Sequence, residues 1–119
     1  MTLRGVRGAI TADVNSKEAI VSATKTLIEN MISENKIELS DIASVFFTTT
    51  PDLNADFPAQ AARQLGMTLV PLLCASEIAV PGALAKCIRI LIHWNTIKAQ
   101  TEIKHAYLGG AKVLREELK

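Results

Sequence analysis

Aromatic residues make up only 4% of this 119-residue chain, so its hydrophobic core has to be built from aliphatic side chains. The hydrophobic fraction is 49%, which is enough for the core of one domain. No run approaches the ~18 apolar residues of a membrane-spanning helix, and the N-terminal stretch lacks the apolar segment of a signal peptide. We therefore expect a single cytoplasmic domain over residues 1–119, with 116–119 as a frayed tail.

An excess of charge of one sign is also missing, because 13 basic and 12 acidic residues leave a net charge of +1. Without a block of Lys and Arg, nucleic acids and membrane surfaces are poor candidates for partners. Cys74 and Cys87 are too few for a disulfide framework, and their spacing fits no zinc pattern. His93 and His105 lie far apart in the chain, so we expect neither a metal site nor a cofactor.

The apolar pattern predicts two helices and five strands. A capping sequence over Asn15–Glu18, followed by apolar residues at helical spacing, predicts a helix of about five turns that ends near Asn35. Pro58 at the first turn and Gly66 as the stop predict a short helix over Ala59–Leu65. Runs of β-branched and aromatic residues predict the strands: Leu3–Ala12, Ala43–Thr50, Leu69–Cys74, Lys86–Trp94 and Lys104–Leu108.

This order of elements, β-α-β-α-β-β-β, predicts a mixed α/β (α+β) domain with one five-stranded sheet, one long helix and one short helix. Pro71 inside the third strand favours an edge or interface position for that strand. Two helices are too few to cover both faces of the sheet. One face must therefore find other cover, and self-association is the simplest way to supply it.

The stretch Cys74–Arg89 contains several residues whose side chains can take part in binding or catalysis. Arg89 interrupts an apolar run, where a charge is costly to bury unless something pairs with it. Periodicity alone leaves two interpretations open, an arginine that faces solvent and one that awaits an anion. Cys74 is either a nucleophile or a small buried hydrophobe, and Glu77 is a surface carboxylate, a base or a hydrogen-bond acceptor.

Four of the five arginines lie at strand ends, on the short helix or in the tail, namely Arg7, Arg63, Arg89 and Arg115. Because guanidinium groups pair with carboxylates in a bidentate manner, their convergence would form a pocket for a small dianion. Arg4 falls on the opposite face of the first strand from Arg7, unless a bulge at a nearby glycine changes the alternation. The chain has no phosphate-binding loop, nucleotide fingerprint or nucleophile elbow.

Five short motifs follow one another along nearly the whole chain, from about Leu3 to Arg115. They are RGVRGA at Arg4–Ala9, TPDLNADFPA at Thr50–Ala59, VPLLCASE at Val70–Glu77, PGALAKCIR at Pro81–Arg89 and HAYL at His105–Leu108. With these motifs in this order, the chain resembles the small monofunctional chorismate mutases of the trimeric pseudo-α/β-barrel class. The resemblance implies the Claisen rearrangement of chorismate to prephenate, without a cofactor, in a homotrimer whose active sites lie between subunits.

The resemblance also implies roles for individual residues. Arg7 would bind a substrate carboxylate, Arg89 would lie beside the ether oxygen, and Glu77 would accept a hydrogen bond from the ring hydroxyl. These three are the expected catalytic residues. Further expected substrate contacts are Leu73, Cys74, Ala75, Ser76 and Tyr107 around the pocket, Phe57, Ala59 and Arg63 from the adjacent subunit, and Leu114 and Arg115 at the mouth.

Several positions depart from the family pattern. Gln60 stands where some members carry Lys, Leu73 replaces a threonine, and Gly109-Gly110 and Glu116-Glu117 differ from the usual C-terminal segment. These departures concern the closing of the pocket mouth rather than the chemistry. Two alternatives are an enamine/imine deaminase of similar trimeric architecture, whose motifs are missing here, and a non-catalytic trimer that binds a small carboxylate.

Overall fold

The computed structural model describes residues 1–117, with side chains through Arg115. The strands are β1 (Thr2–Thr11), β2 (Ile42–Thr49), β3 (Leu72–Ser76), β4 (Cys87–Thr96) and β5 (Ala106–Tyr107). The α-helices are α1 (Lys17–Asn35), α2 (Ala59–Gln64) and α3 (Lys112–Glu117). Of the predicted frayed tail at 116–119, residues 118 and 119 lie outside the described part, and 116 and 117 end helix α3.

The five strands form one mixed sheet, as the sequence predicted, and their order in it is β3-β2-β4-β1-β5. Long β4 pairs antiparallel with β1 and β2, and the two edge strands pair parallel to their neighbours. The β1–β4 register runs unbroken from Thr2↔Thr96 to Thr11↔Cys87. Without a bulge in β1, Arg4 and Arg7 lie on opposite faces of the sheet.

Helix α1 covers one face of the sheet. The Ser16 side chain accepts a hydrogen bond from the Ala19 N–H at 3.1 Å and caps the helix start. Its apolar stripe packs on the isoleucines of β4 and on β1, where Gly8 permits close approach. A Cβ atom at Gly8 would clash with the Met31 sulfur, so a larger residue would force the Met31 side chain to shift.

Helix α2 also packs against α1, and Gly66 follows it with a φ of +94°, the left-handed conformation expected of a C-terminal stop. Most element boundaries lie within one or two residues of the prediction, and three differences have a clear physical reason or are larger. The third strand begins only after Pro71, whose carbonyl accepts from the Val45 N–H, because proline cannot donate to the ladder. The last strand is two residues long instead of five, and Lys86 has a positive φ of 50° and precedes β4.

The opposite face of the sheet is only partly covered in the single chain. Leu3, Phe46 and Leu73 point to this face and are 52%, 43% and 59% exposed. At one end, the unpredicted helix α3 places Leu114 over a small cluster formed by Ala9 and Cys87 with Ala111. None of the helices within residues 1–117 is both long enough and apolar enough to cross a bilayer.

Candidate active site

A pocket of about 420 Å³ lies on this open face of the sheet. Strands β1, β4 and β2 form its floor, and residues of β5 and α3 form one side. Its lining consists of Arg7, Gly8, Ala9, Phe46, Thr48, Arg89, Ile90, Leu91, Tyr107 and Leu114. Four of the predicted site residues therefore meet here, two of them cationic.

The two arginines of the pocket come from neighbouring strands. Arg7 is paired with Leu91, and Ala9 with Arg89, so the two arginines are diagonal neighbours on one face. Such neighbours in an antiparallel pair lie roughly 7–8 Å apart. This spacing places two guanidinium groups around one small pocket, as a ligand with two carboxylates would need.

Glu77 orients Arg89 from the side of the sheet edge. Its Oε1 lies 3.2 Å from Arg89 Nε, and its Oε2 accepts a hydrogen bond from Thr48 Oγ1 at 2.7 Å. The Glu77 side chain is 16% exposed and that of Arg89 is 47% exposed. Because ion pairs with this much exposure contribute little to stability, the pair matters for the direction of the guanidinium rather than for folding.

Tyr107 and Leu114 lie on the other side of the pocket. Tyr107 pairs with Ala9 of β1, and the next residue continues the contact through the Leu108 N–H, which donates to the Ala9 carbonyl at 2.9 Å. Leu114 reaches the pocket from helix α3, while Arg115 beside it is exposed. Leu114 therefore borders the pocket, whereas Arg115 is not among its lining residues.

A second pocket of similar volume contains another group of predicted site residues, including Phe57, Cys74, Ala75 and Ser76. The parallel register Phe47↔Cys74 turns the Cys74 side chain toward the helix-covered face, away from Arg89. Leu73, paired with Phe46, is on the open face with Arg89. Within one chain, Cys74 and Phe57 are thus separate from the arginine pocket, although the sequence interpretation placed Cys74 beside it.

Helix α2 carries two more predicted site residues with different surroundings. Ala59 is 2% exposed and belongs to the hydrophobic core, whereas Arg63 is exposed. Phe57, just before this helix, is 64% exposed although it is a large apolar residue. Because Phe57 and Arg63 are both exposed within one chain, their side chains are available to contact a neighbouring molecule.

The start of β4, which fixes the position of Arg89, is held by two side chains. Thr50 Oγ1 accepts from the Cys87 N–H at 3.0 Å, and Asp52 Oδ2 accepts from the Lys86 N–H at 2.9 Å. Thr50 also donates to Asp52, and this hydrogen bond lowers the pKa of the Asp52 carboxyl. Burial raises the pKa of the Cys87 thiol, so that thiol stays protonated beneath the pocket.

Sequence reasoning missed the contributions of β2 to the pocket. Thr48 holds Glu77, and Phe46 forms part of the lining, where its ring meets His93 edge-on at 5.3 Å between centroids. Both residues alternate with the buried Phe47, so strand periodicity indicates their face. It does not indicate which strand lies next to β4, and that neighbour relation places them at the site.

Among residues 1–117, no group of three or more His, Cys, Asp or Glu side chains is arranged to hold a metal ion. The titratable groups at the arginine pocket are instead distributed as two cations, one carboxylate and one phenol. This set can bind a small dianion and place positive charge at a chosen atom.

Comparison with known proteins gives consistent matches over nearly the whole chain. The sequence model of the family described as chorismate mutase type I matches residues 3–118. The chain is 48% identical to the chorismate mutase AroH of Thermus thermophilus over 117 residues, which cover 98% of this chain and 96% of that protein. It is 42% identical to the chorismate mutase AroH of Bacillus subtilis over 119 residues, or 99% of this chain and 94% of the other.

A solved structure shares the fold. The chorismate mutase from Clostridium thermocellum superimposes with a TM-score of 0.91 at 49% sequence identity. The match covers 92% of this chain and 98% of the other chain.

Proposed function

This chain belongs to the chorismate mutase type I family and is an isomerase of aromatic amino acid biosynthesis, and we propose that the pocket between Arg7, Arg89 and Tyr107 is its active site. The observation that carries the proposal is the meeting of two guanidinium groups in one pocket, with Glu77 bound to one of them. The substrate is chorismate and the product is prephenate.

The reaction is an intramolecular rearrangement, in which a C–O bond breaks while a C–C bond forms within one molecule. It requires no nucleophile and no proton transfer. The enzyme has to hold the flexible substrate in a compact conformer with its two ends in bonding reach, since positioning alone removes much of the barrier. In the proposed site, Arg7 and Tyr107 hold carboxylate groups, and the apolar Leu114 packs over them.

The second requirement is electrostatic. As the C–O bond stretches, negative charge grows on the ether oxygen, and a fixed cation there stabilises the transition state more than the ground state. Arg89 is assigned this role because Glu77 holds its Nε from the side and leaves the guanidinium on the pocket. Glu77 Oε1 or Oε2 also accepts a hydrogen bond from the substrate's ring hydroxyl in this assignment.

The remaining predicted contacts fit a site shared between two subunits of a homotrimer. Phe57, Arg63 and Cys74 lie apart from the arginine pocket within one chain, and Phe57 and Arg63 are exposed. A neighbouring subunit that packs against the open face could bring its own Phe57 and Cys74 to the mouth of the pocket. We therefore assign Phe57, Arg63, Cys74 and Ser76 to the half-site supplied by the adjacent subunit, whereas the side chain of Ala59 is buried in the core and supports this half-site from beneath.

This arrangement changes the role expected of Cys74. A thiol on the opposite side of the sheet from Arg89 cannot act as a nucleophile within its own subunit's pocket. It forms part of the wall that the neighbour supplies. Of the two alternatives, the deaminase is excluded by the family, and a purely binding trimer would bind chorismate without converting it.

The site assignment is tested with Arg89→Lys and Arg7→Ala, measured as the rate of chorismate loss with prephenate as product. Arg89→Lys keeps the charge but loses the fork geometry, and we expect kcat to fall by about 10²–10³. Arg4→Ala is a matched control, because Arg4 lies on the same strand but on the opposite face and donates to the Lys98 carbonyl at 3.0 Å. Near wild-type kcat for Arg89→Lys would show that the pocket is assigned wrongly.

A cytoplasmic location is also part of the proposal, and cell fractionation followed by the same assay tests it.

A further inference from the structure

The side chain of His105, rather than a backbone carbonyl, accepts the hydrogen bond of the Arg7 N–H at the edge of the sheet. Strand β5 pairs with β1 only at Gly8↔Ala106 and Ala9↔Tyr107, so the ladder stops one residue before it reaches Arg7. There the backbone N–H of Arg7 donates to Nδ1 of the His105 ring at 2.9 Å. A side chain therefore completes the edge of the sheet at the residue whose guanidinium enters the pocket.

This hydrogen bond requires one protonation state of the ring. A nitrogen that accepts carries no proton, so the neutral ring must hold its proton on Nε2. If the ring gains a second proton, Nδ1 becomes a donor that faces another donor, and the bond is lost. The ring then also carries a positive charge close to that of Arg7.

The charged groups around His105 are few. The recess beside its ring is lined by Gly5, Arg7, Leu91, Gln100 and Ile103, of which only Arg7 is charged. His105 is an exposed residue, but its partial burial, and then the charge of Arg7, lower the pKa of His105 below its ordinary value of 6.5. The fold therefore favours the neutral ring.

The other titratable groups nearby are engaged elsewhere. The Glu102 carboxylate accepts from the Ala99 N–H at 2.9 Å, and Lys104 is exposed with its own N–H bound to Asn35. On β4, His93 is held by Ser44 at 2.9 Å, on the side of the strand that faces β2. Arg7 is thus the group whose position and charge are coupled to the state of His105.

We propose that His105 is a positioning residue for Arg7, whose neutral imidazole anchors the Arg7 backbone so that the side chain keeps its place in the pocket. The inference rests on the proposed role of Arg7 in binding chorismate. The hydrogen bond from the Arg7 N–H to His105 also makes the enzyme sensitive to acid. The bond is present while the ring is neutral and is lost as the pH falls through the pKa of His105.

The test compares kcat and KM of the wild type, His105→Ala, His105→Asn and Lys104→Ala from about pH 5 to about pH 8. Asparagine can place its amide oxygen near the position of Nδ1 and does not titrate. We expect His105→Ala to lower kcat at neutral pH about three- to tenfold, the worth of one hydrogen bond. His105→Asn should recover most of kcat and lack the acid limb of the wild type, while Lys104→Ala should match the wild type at neutral pH.

Two results would overturn the inference. One is a wild-type kcat for His105→Ala, and the other is an acid limb in His105→Asn that is identical to that of the wild type. If His105→Ala does not fold, the comparison of the wild-type and His105→Asn pH profiles still decides. Arg7→Ala distinguishes a wrong site from a wrong role of His105. Full activity of Arg7→Ala would contradict the proposed site, whereas an inactive Arg7→Ala beside a normal His105→Ala would contradict only the role of His105.

Discussion

At the scale of single residues, the pocket depends on how each charged side chain is held. Arg89 is bound at Nε by Glu77, and Glu77 is bound in turn by Thr48, so the guanidinium is the end of a short chain of contacts. Arg7 is held instead through its backbone, by His105. Electrostatic catalysis needs such preorganisation, because a charge that has to move into place during the reaction is worth less.

Replacing Glu77 tests this chain of contacts. Glu77→Gln keeps an oxygen that can accept from Thr48 but removes the charge that pairs with Arg89 and the strong acceptor for the substrate hydroxyl. We expect kcat to fall about 10–100-fold, the worth of a charged hydrogen bond. Steady-state kinetics measure kcat, and Thr48→Val, which removes the hydrogen bond to Glu77 but leaves the Glu77 charge in place, should show a smaller drop. Equal drops for the two variants would contradict the separate role of the Glu77 charge.

Cys74 provides the opposite prediction at this scale. Because its side chain is turned away from Arg89 within its own chain, we expect Cys74 to form part of a wall and to take no part in bond making. Cys74→Ser should therefore retain kcat within about threefold. If Cys74 were instead a nucleophile, serine in its place would abolish covalent catalysis. Complete inactivity of a folded Cys74→Ser variant would restore the nucleophile hypothesis.

At the scale of elements, α1 and β4 carry most of the architecture. Helix α1 buries Ile20, Leu27 and Met31 against the sheet, and β4 lies at its centre with β1 and β2 on either side. One strained residue ends the helix. Lys36 has a left-handed φ of 56°, where its N–H donates to the carbonyls of Ile32 and Ser33.

Lys36→Gly should stabilise the protein. A side chain in the left-handed region costs about 1 kcal/mol relative to glycine, and glycine is the usual residue at this position. We expect Tm to rise by roughly 3–6 °C for a domain of this length, with kcat unchanged because Lys36 is exposed and does not line the arginine pocket. Calorimetry measures the shift, and a lower Tm would show that the lysine makes compensating contacts.

At the scale of the whole molecule, the partly covered face of the sheet requires explanation. The exposed side chains of Leu3, Phe46 and Leu73 lie on the same face as the arginine pocket. A molecule that packs on these apolar side chains would therefore also cover the pocket. Apolar patches of this kind mark association surfaces. Packing of three chains through this face would bury the leucines and bring Phe57 and Arg63 of one subunit toward Arg89 of the next.

For the proposed homotrimer, light scattering should give three times the chain mass of 12.9 kDa. Mixing Arg89→Ala with Arg63→Glu tests the shared site directly, because each variant keeps the half that the other lacks. After exchange of subunits in equal amounts, about a quarter of the sites combine two intact halves and should recover activity at low substrate. No recovery in mixed trimers of the two inactive variants would contradict a site between subunits.

Much of the fold follows from local signals in the sequence. The capping residue Ser16, the apolar stripe of α1 and the alternation in β4 are short-range features, so the helix and strand positions could be predicted. The strand order could not, because the same pattern of elements fits several sheets. The sequence also overestimated the length of β5. At His105 the ring, and not the backbone, bonds to β1, and this tertiary contact leaves no local signal in the sequence.

For the candidate site, the sequence by itself determined the family and the residue types, through five motifs in order. It left open which faces the arginines share and which side of the sheet Cys74 occupies. Tertiary structure decided both, since side-chain direction depends on strand register, and a shift of one residue would reverse every face. Because the unbroken β1–β4 register brings Arg7 and Arg89 to one face, two charges that lie far apart in the sequence line one pocket.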